Sequence, residues 1–205
     1  MKSIIQKHLH KKKLKKLLIA PCGSGGDYPY LKEFSEKFYG IDLSPIAVKK
    51  CPSDMKVIVG DILETGYSSE KFDLVASPLF FHHMVKYGFE PSLKEFYRIL
   101  KPKGKLVILD FSIFYPLNAI TRPLKRIFSN PYGEVEDEEP YRPKYMIYSL
   151  KRVGFSKIEM SGATFSHCSF HRPIAKMVNI ITKPLLNKWP FKLFSWMILF
   201  WAEKP

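Results

Sequence analysis

Short apolar runs alternate with amphipathic segments along most of the chain. Each of the first five runs is short, apolar and followed by a turn or a polar residue, which predicts buried strands at 17–20, 38–42, 55–59, 72–76 and 105–110. Helical spacing predicts helices between them, from Asp27 through Leu31, Phe34 and Phe38, from Ser44 to Cys51, and over 93–100, with a turn at 101–104. Strands joined by helices imply right-handed crossovers and a parallel sheet covered on both faces.

The alternation breaks between 112 and 143. This stretch holds five prolines and an acidic cluster at 134–139, and we interpret it as a partly helical insertion over the C-terminal edge of the sheet. Beyond it we expect a helix over 144–153 with Gly154 as its C-cap, a sixth strand over 155–164, an amphipathic helix over 172–188 and a final strand over 196–202. The predicted organisation is a basic tail at 1–15 and one domain at 16–205, in which insertions at 112–143 and 170–192 cover the substrate site.

Composition adds a strong positive charge to this picture. The 205 residues suit a single α/β domain, and 33 basic against 19 acidic residues give a formal net charge of +14. Much of the charge lies in the lysines of 11–16, for which a solvated tail is the simplest interpretation. The positive charge of the rest of the chain is typical of a protein that binds nucleic acid, an anionic membrane surface or an anionic small substrate. Three cysteines without metal-site spacing favour reduced thiols in the cytoplasm, and no apolar stretch reaches the length of a transmembrane helix.

Three features follow successive predicted strands, where open α/β sheets bind ligands. The first is the glycine-rich turn 21–26, which lets the backbone approach a ligand closely. The second is Asp42, whose carboxylate can accept hydrogen bonds from both hydroxyls of a ribose, or can cap the next helix. The third is Asp61, which can accept from an adenine amino group while Ile62 packs on the ring, and which can also be a simple helix cap. In this order the three features predict an adenosine-containing ligand.

Two common nucleotide-binding motifs do not fit the turn. The dinucleotide fingerprint needs a third glycine three positions after the second, and counting from Gly23 that position is Tyr28. A P-loop needs Gly-Lys-Ser/Thr, which does not follow. NAD and a P-loop triphosphate are therefore disfavoured.

The whole series resembles the class I S-adenosylmethionine (SAM)-dependent methyltransferases, in particular the "methyltransferase type 11" group. The resemblance covers roughly 17–111 and includes 40–44, Val59-Gly60-Asp61, 72–75 and the rather specific Arg-Ile-Leu-Lys-Pro-Lys-Gly stretch at 98–104. It implies a Rossmann-like, mostly parallel sheet of seven strands with the last strand antiparallel, and SAM as the cofactor. The residues that it implies around the cofactor are Pro21, Gly23, Ser24, Gly25, Asp27, Asp42, Leu43, Asp61, Ile62 and Ser77.

Two positions depart from the family pattern. Ile19 stands where the family usually has an acidic residue that helps hold the amino group of the cofactor, and Pro21 replaces the first glycine. Either Asp27 takes over the role of the missing carboxylate, or binding is weakened. A catalytically inactive descendant is therefore one alternative.

The predicted catalytic base is His83, in the Phe80-Phe81-His82-His83 segment after the fourth strand, where the family often has a histidine. The alternative is that this histidine binds backbone and shapes the pocket. The segment Ser77-Pro78-Leu79-Phe80 lacks the amide or acid that adenine methyltransferases carry here to bind the target nitrogen, which argues against methylation of nucleobases.

The methyl acceptor is predicted from the two insertions, which are rich in aromatic side chains with basic residues among them, including Arg122, Lys125, Arg126 and Arg172. Such walls suit a small-molecule or lipid-like acceptor that carries negative charge. An RNA or protein methyltransferase is the alternative that the net charge favours. The basic, amphipathic segment near 172–192 is also a candidate for peripheral contact with membranes.

Overall fold

The computed structural model of the protein describes residues 2–9, 13–116, 139–167 and 170–205. Their core is a seven-stranded sheet with the order β3-β2-β1-β4-β5-β7-β6. The strands are β1 Leu14–Ile19, β2 Ser35–Asp42, β3 Met55–Val59, β4 Phe72–Pro78, β5 Leu100–Phe111, β6 Ser156–Thr164 and β7 Met197–Glu203.

The pairing of the strands confirms the predicted fold class. Strands β1 to β5 pair in parallel, whereas β7 is antiparallel to both β5 and β6. Because these strands are parallel, the segments that follow β1, β2, β3 and β4 meet at one edge of the sheet. The strand order changes direction between β1 and β4, and ligands bind at such a point in folds of this kind.

Helices cover both faces of the sheet. They are α1 Lys2–Leu9, α2 Tyr28–Leu31, α3 Pro45–Val48, α4 Glu90–Ile99, α5 Pro143–Val153 and α6 Arg172–Thr182. On one face, Leu93 and Phe96 of α4 and Leu150 of α5 are fully buried in the larger of the two hydrophobic clusters. Gly154 ends α5 in the left-handed region (φ 108°), which confirms it as the C-cap.

Residues 2–9, which we assigned to a basic tail at 1–15, form α1. Ile4, Ile5 and Leu9 are buried in the second hydrophobic cluster, on the other face of the sheet. His8 stacks on Trp201 of β7 with 4.3 Å between the ring centroids. The basic side chains of this segment suggested that it is solvated. Its apolar residues are nevertheless buried, because they pack against the sheet.

The predicted helix through Phe38 is wrong beyond Leu31. Helix α2 has a single turn and β2 begins at Ser35, which lies opposite Leu14. Phe34 and Phe38 are buried together with Leu31, so helical spacing and strand pairing compete for the same apolar residues, and pairing with β1 and β3 prevails. Asp27, which as an aspartate at the start of the predicted helix was expected to cap it, does precede α2 but has helical backbone angles and makes no side-chain capping bond.

Other differences lie at element ends. Ser44 caps α3 as expected, but the α-helix ends at Val48. The turn predicted at 101–104 lies within β5 as an irregularity of its pairing with β4, with Lys103 at φ 61°. Helix α6 ends at Thr182 and continues as a 3-10 turn, Lys183–Leu185. Most of the predicted insertion at 112–143, with its acidic cluster, and Cys168 lie outside the described residues.

No helix in the described part of the chain combines the length and the hydropathy that crossing a bilayer requires.

Candidate functional site: the cleft at the edge of the sheet

The glycine-rich turn after β1 adopts backbone angles that favour glycine. Gly23 and Gly25 have φ values of 49° and 80°. A Cβ atom built at Gly25 would lie 2.5 Å from Cδ of Pro52, whereas one built at Gly26 meets no atom within 4 Å. The turn is thus folded tightly at Gly25 against the segment after α3, and Ser24 at its tip is exposed.

Asp42 holds the glycine turn from the end of the neighbouring strand. Its Oδ2 atom accepts a hydrogen bond from the backbone N–H of Gly23 (2.7 Å), and Oδ1 accepts from the N–H of Ser44 (2.9 Å). A carboxylate can accept about four hydrogen bonds, so two positions stay open. The half-buried carboxylate can therefore anchor the turn and still accept from a ribose.

Asp61 and the residues around it form the next part of the cleft. Asp61 is exposed, and its Oδ1 atom accepts from the N–H of Leu63 (2.8 Å), whereas its Oδ2 atom makes no hydrogen bond within the described chain. Ile62 is only 5% exposed and packs into the core, whereas Leu43 is 70% exposed. The larger apolar surface available to a ring is therefore that of Leu43.

Glu95 fastens the loop after β3 to helix α4, a role that sequence analysis missed. Its Oε1 atom accepts from the backbone N–H of Thr65 (3.0 Å), and both carboxylate oxygens accept from Arg98 at 2.7 Å. Arg98 also donates to the carbonyl oxygen of Tyr67 (2.6 Å). Burial acts to raise the pKa of Glu95, but the bonds from Arg98 and Thr65 outweigh it and leave this pKa below its ordinary value.

The position of the missing family carboxylate is fully apolar. Ile19 has no exposed surface and packs among core residues of the α1 face. Asp27, after the glycine turn, is half-buried, and burial raises the pKa of its carboxyl group. Within the described chain this carboxyl has no hydrogen bond or ion pair, so it is available to a cation.

The end of β4 carries two features that mark a site. Ser77 is fully buried, and its hydroxyl has no hydrogen-bond partner among the described residues. Two residues later, Leu79 has φ 51°, in the left-handed region, and its N–H donates to the carbonyl oxygen of Leu109 (2.7 Å). Unpaired buried hydroxyls and left-handed non-glycine residues both cluster at functional sites.

The two histidines after β4 have different surroundings. His82 is buried, with its Nδ1 atom 2.7 Å from Oδ1 of Asp110 on β5. Asp110 also accepts from the backbone N–H of His82 (3.0 Å) and of Phe111 (2.8 Å) and from the hydroxyl of Tyr141 (3.3 Å). Burial, and then the charge of Asp110, raise the pKa of Tyr141 well above its ordinary value, so this hydroxyl stays a donor.

His83, the predicted base, is half-buried, and its ring centroid lies 4.1 Å from that of His82. Four donors occupy the Asp110 carboxylate, which makes the buried pair a support for the 3-10 turn Phe81–His83. The imidazole of His82 thus binds a side chain within the protein, whereas the role of His83 stays a prediction. Asp110 and Tyr141 were missed because they are brought in from distant parts of the chain.

A pair of thiols lies beneath the glycine turn. The Sγ atoms of Cys22 and Cys51 are 3.9 Å apart, and the Cys51 thiol donates to the carbonyl oxygen of Gly23 (3.3 Å). Burial, and then the neighbouring Cys51, raise the pKa of Cys22 to about 12. Both thiols are therefore protonated packing groups that support the turn.

The residues expected around the acceptor are divided by the structure. Arg122, Lys125 and Arg126 lie outside the described residues. Tyr115 and Tyr141 are buried, whereas Trp189 is 71% exposed. Part of the predicted acceptor wall, including these three basic residues, therefore lies outside the described residues.

Comparison with known proteins shows a methyltransferase match over part of this chain. Residues 18–108 match the family described as "Methyltransferase domain". The chloroplastic tocopherol O-methyltransferase of Arabidopsis thaliana is 33% identical over 111 residues, which is 49% of this chain and 31% of that protein. The match thus spans about a third of that relative.

Solved structures share the fold over the whole chain. A SAM-dependent methyltransferase from Archaeoglobus fulgidus has a TM-score of 0.65 at 18% identity, covering 100% of this chain and 95% of that one. Phosphoethanolamine N-methyltransferase 2 of Haemonchus contortus, solved with SAM, has a TM-score of 0.65 at 19% identity, covering 100% of this chain and 52% of that one. The predicted resemblance to class I SAM-dependent methyltransferases, with SAM as their cofactor, is confirmed for the domain.

Proposed function

We propose that this chain, which has a class I SAM-dependent methyltransferase domain, transfers the methyl group of SAM to a small-molecule or lipid-like acceptor. The observation that carries the proposal is the Gly23–Asp42 hydrogen bond, which joins the glycine turn of β1 to the acid that ends β2. Both parts belong to the segment that matches the methyltransferase family.

The residues around the cleft fit the parts of SAM one by one. The two open acceptor positions of Asp42 suit the ribose hydroxyls, and Asp61 with the exposed Leu43 suits the adenine. The carboxyl of Asp27, which has no hydrogen bond to any described residue, suits the ammonium group, in place of the carboxylate lost at Ile19. The unpaired Ser77 hydroxyl offers a further polar contact. These assignments rest on the geometry of this chain and on the family to which its domain belongs.

SAM supplies an electrophilic methyl group when it is bound, and the chain supplies orientation and, for a protonated acceptor, a base. We assign the base to His83, because the His82–Asp110 pair fixes the turn that carries it beside the end of β4. His82 itself is a positioning residue in this scheme.

The acceptor class is supported by the two named relatives, whose acceptors are tocopherol and phosphoethanolamine. One is lipid-like and the other is a small anionic molecule, in line with the aromatic and basic composition of the insertions. The net charge of +14 keeps RNA and protein acceptors as competitors, and the buried Ile19 keeps an inactive SAM-binding protein as another.

Two experiments separate these functions. Calorimetric titration with SAM and with S-adenosylhomocysteine should show binding of both. If neither binds, the proposed methyltransferase function is excluded. Labelled SAM is then incubated with the protein and with separate lipid, small-metabolite, RNA and protein fractions of a cell extract. We expect label in the lipid or metabolite fraction, whereas label confined to RNA or protein would overturn the acceptor assignment.

A further inference from the structure

A band of apolar side chains lies exposed along residues 172–194. On helix α6 the exposed members are Ile174, Met177, Ile180 and Ile181, and beyond the helix they include Trp189 and Phe191. No side chain of α6 is buried, which is unusual for a helix with so many large apolar residues. The band uses none of the residues proposed to hold the cofactor.

The segment is attached to the domain through polar contacts. The hydroxyl of Ser166 donates to the carbonyl oxygen of Ala175 (2.8 Å), and that of Thr164 donates to the side-chain oxygen of Asn179 (2.6 Å). Further along, the carbonyl oxygen of Leu186 accepts from the N–H of Gly162 in β6 (2.7 Å). Because these contacts hold the side of α6 that carries Ala175 and Asn179, its isoleucines face outward.

The same segment is positively charged and has no acidic residue. No Asp or Glu occurs anywhere from 160 to 202. Arg172, Lys176, Lys183 and Lys188 are exposed, and in the described part of the chain none of these four makes an ion pair. By contrast, Lys2 and Lys7 of α1 pair with glutamates at 2.7 and 2.8 Å.

We propose that residues 172–194 dock the protein on an anionic membrane surface. An anionic bilayer binds both the apolar and the basic side chains of this segment. Isoleucine and aromatic side chains enter the boundary of the acyl chains, while lysine and arginine contact lipid phosphates. A nucleic acid would satisfy the cations and leave the apolar side chains in water. An exposed tryptophan beside such a helix is typical of the membrane interface.

Cosedimentation of the full chain with vesicles tests this proposal. One set of vesicles contains phosphatidylcholine alone, and the other contains about one third phosphatidylglycerol. We expect binding to the anionic vesicles only, weakening as salt is added. Equal binding to both sets, or binding to neither, overturns the proposal.

Two double variants separate the contributions of charge and apolar contact. Lys176→Glu with Lys183→Glu should weaken binding about 30-fold or more, because each cation near the surface contributes about fivefold. Ile180→Ser with Ile181→Ser should weaken it about tenfold or more, because both side chains lose their contact with the acyl boundary. The matched control, Lys94→Glu with Lys151→Glu on α4 and α5, has the same net charge as the first variant and should change binding less than about threefold. If the isoleucine variant binds normally while the lysine variant does not, the surface is purely electrostatic and the proposal fails.

The fluorescence of Trp189 provides a direct test of docking through this segment. It is 71% exposed, while Trp201 is buried and Trp196 half-buried. Anionic vesicles should therefore shift the tryptophan emission to shorter wavelength, and Trp189→Phe should abolish the shift. A shift that persists in Trp189→Phe contradicts docking through this segment. SAM binding, measured separately by calorimetry, should be unchanged in all these variants, so failure here is distinguishable from failure of the proposed function.

Discussion

The N–H of Gly23 and the carboxylate of Asp42 are joined by a 2.7 Å hydrogen bond between the ends of two neighbouring parallel strands. This contact turns two separate sequence features into one unit. The acid that is expected to meet the ribose also sets the position of the turn expected to meet the methionine part of SAM. Loss of either group should therefore affect the other.

Asp42→Ala is expected to weaken SAM binding about 100-fold or more, because hydrogen bonds of a charged group are lost to both the turn and the ribose, at about 1.5–3 kcal/mol each. Asp42→Asn retains an acceptor oxygen and should lie between this variant and the wild type. Calorimetric titration with SAM measures both. Wild-type affinity in Asp42→Ala would remove Asp42 from the cofactor site.

Gly25→Ala is expected to lower the free energy of unfolding by about 1–3 kcal/mol, because its φ is left-handed and its Cβ would clash with Pro52. The matched control is Gly26→Ala, whose Cβ would meet open space and which should change stability little. Urea denaturation compares the two variants. Equal effects would show that the turn is not constrained at Gly25.

Asp27→Asn is expected to abolish a pH dependence of SAM binding. Burial raises the pKa of Asp27, and the ammonium group of SAM pairs only with the ionised form. Wild-type affinity should therefore rise as pH increases through this raised pKa and then level off, whereas the variant should show low, pH-independent affinity in the same acidic range.

The same raised pKa has the opposite effect on the protein without cofactor. The folded state binds the Asp27 proton more tightly than the unfolded state, so stability falls as pH rises from the ordinary carboxyl pKa through the folded value. Asp27→Asn should thus raise the thermal midpoint slightly at neutral pH. A lower midpoint would indicate that Asp27 has a structural partner.

His83→Ala is expected to reduce turnover about 100-fold, the usual effect of losing a general base, while SAM affinity stays nearly unchanged. His82→Ala should instead destabilise the fold by about 1–3 kcal/mol or more, because it leaves the buried Asp110 short of a donor. Turnover and thermal unfolding are measured on both variants. Unchanged turnover in His83→Ala would end its assignment as the base.

Glu95→Gln is expected to cost about 1.5–3 kcal/mol of stability at neutral pH, since the bonds of a buried charge to Arg98 and Thr65 are weakened. The folded pKa of Glu95 is depressed, so its contribution is present above the ordinary glutamate pKa and is lost as pH falls through the folded value. The difference between wild type and variant should therefore shrink in acid. Glu36→Gln, at an exposed position of β2, is the control and should have no effect.

The mostly parallel sheet was predictable because its signals are local, and the same local signals are the basis on which we expect the cofactor at the ends of its strands. A buried strand is a short apolar run, and Gly23, Asp42 and Asp61 each stand at or shortly after the end of one. Parallel strands then bring their ends together without further information. The charge and composition of 172–192 likewise marked a basic, amphipathic segment.

Only the tertiary structure decided questions that depend on distant partners. The sheet surface buries α1, and strand pairing ends α2 at Leu31. Asp110 and Tyr141, far from the histidines in sequence, distinguish His82 from His83. Packing of Ile62 into the core leaves it far less exposed than Leu43. The physical reason for this division is that hydrogen-bond partners and burial depend on contacts between residues distant in sequence. Periodicity and the residues at strand ends are instead local properties of the sequence.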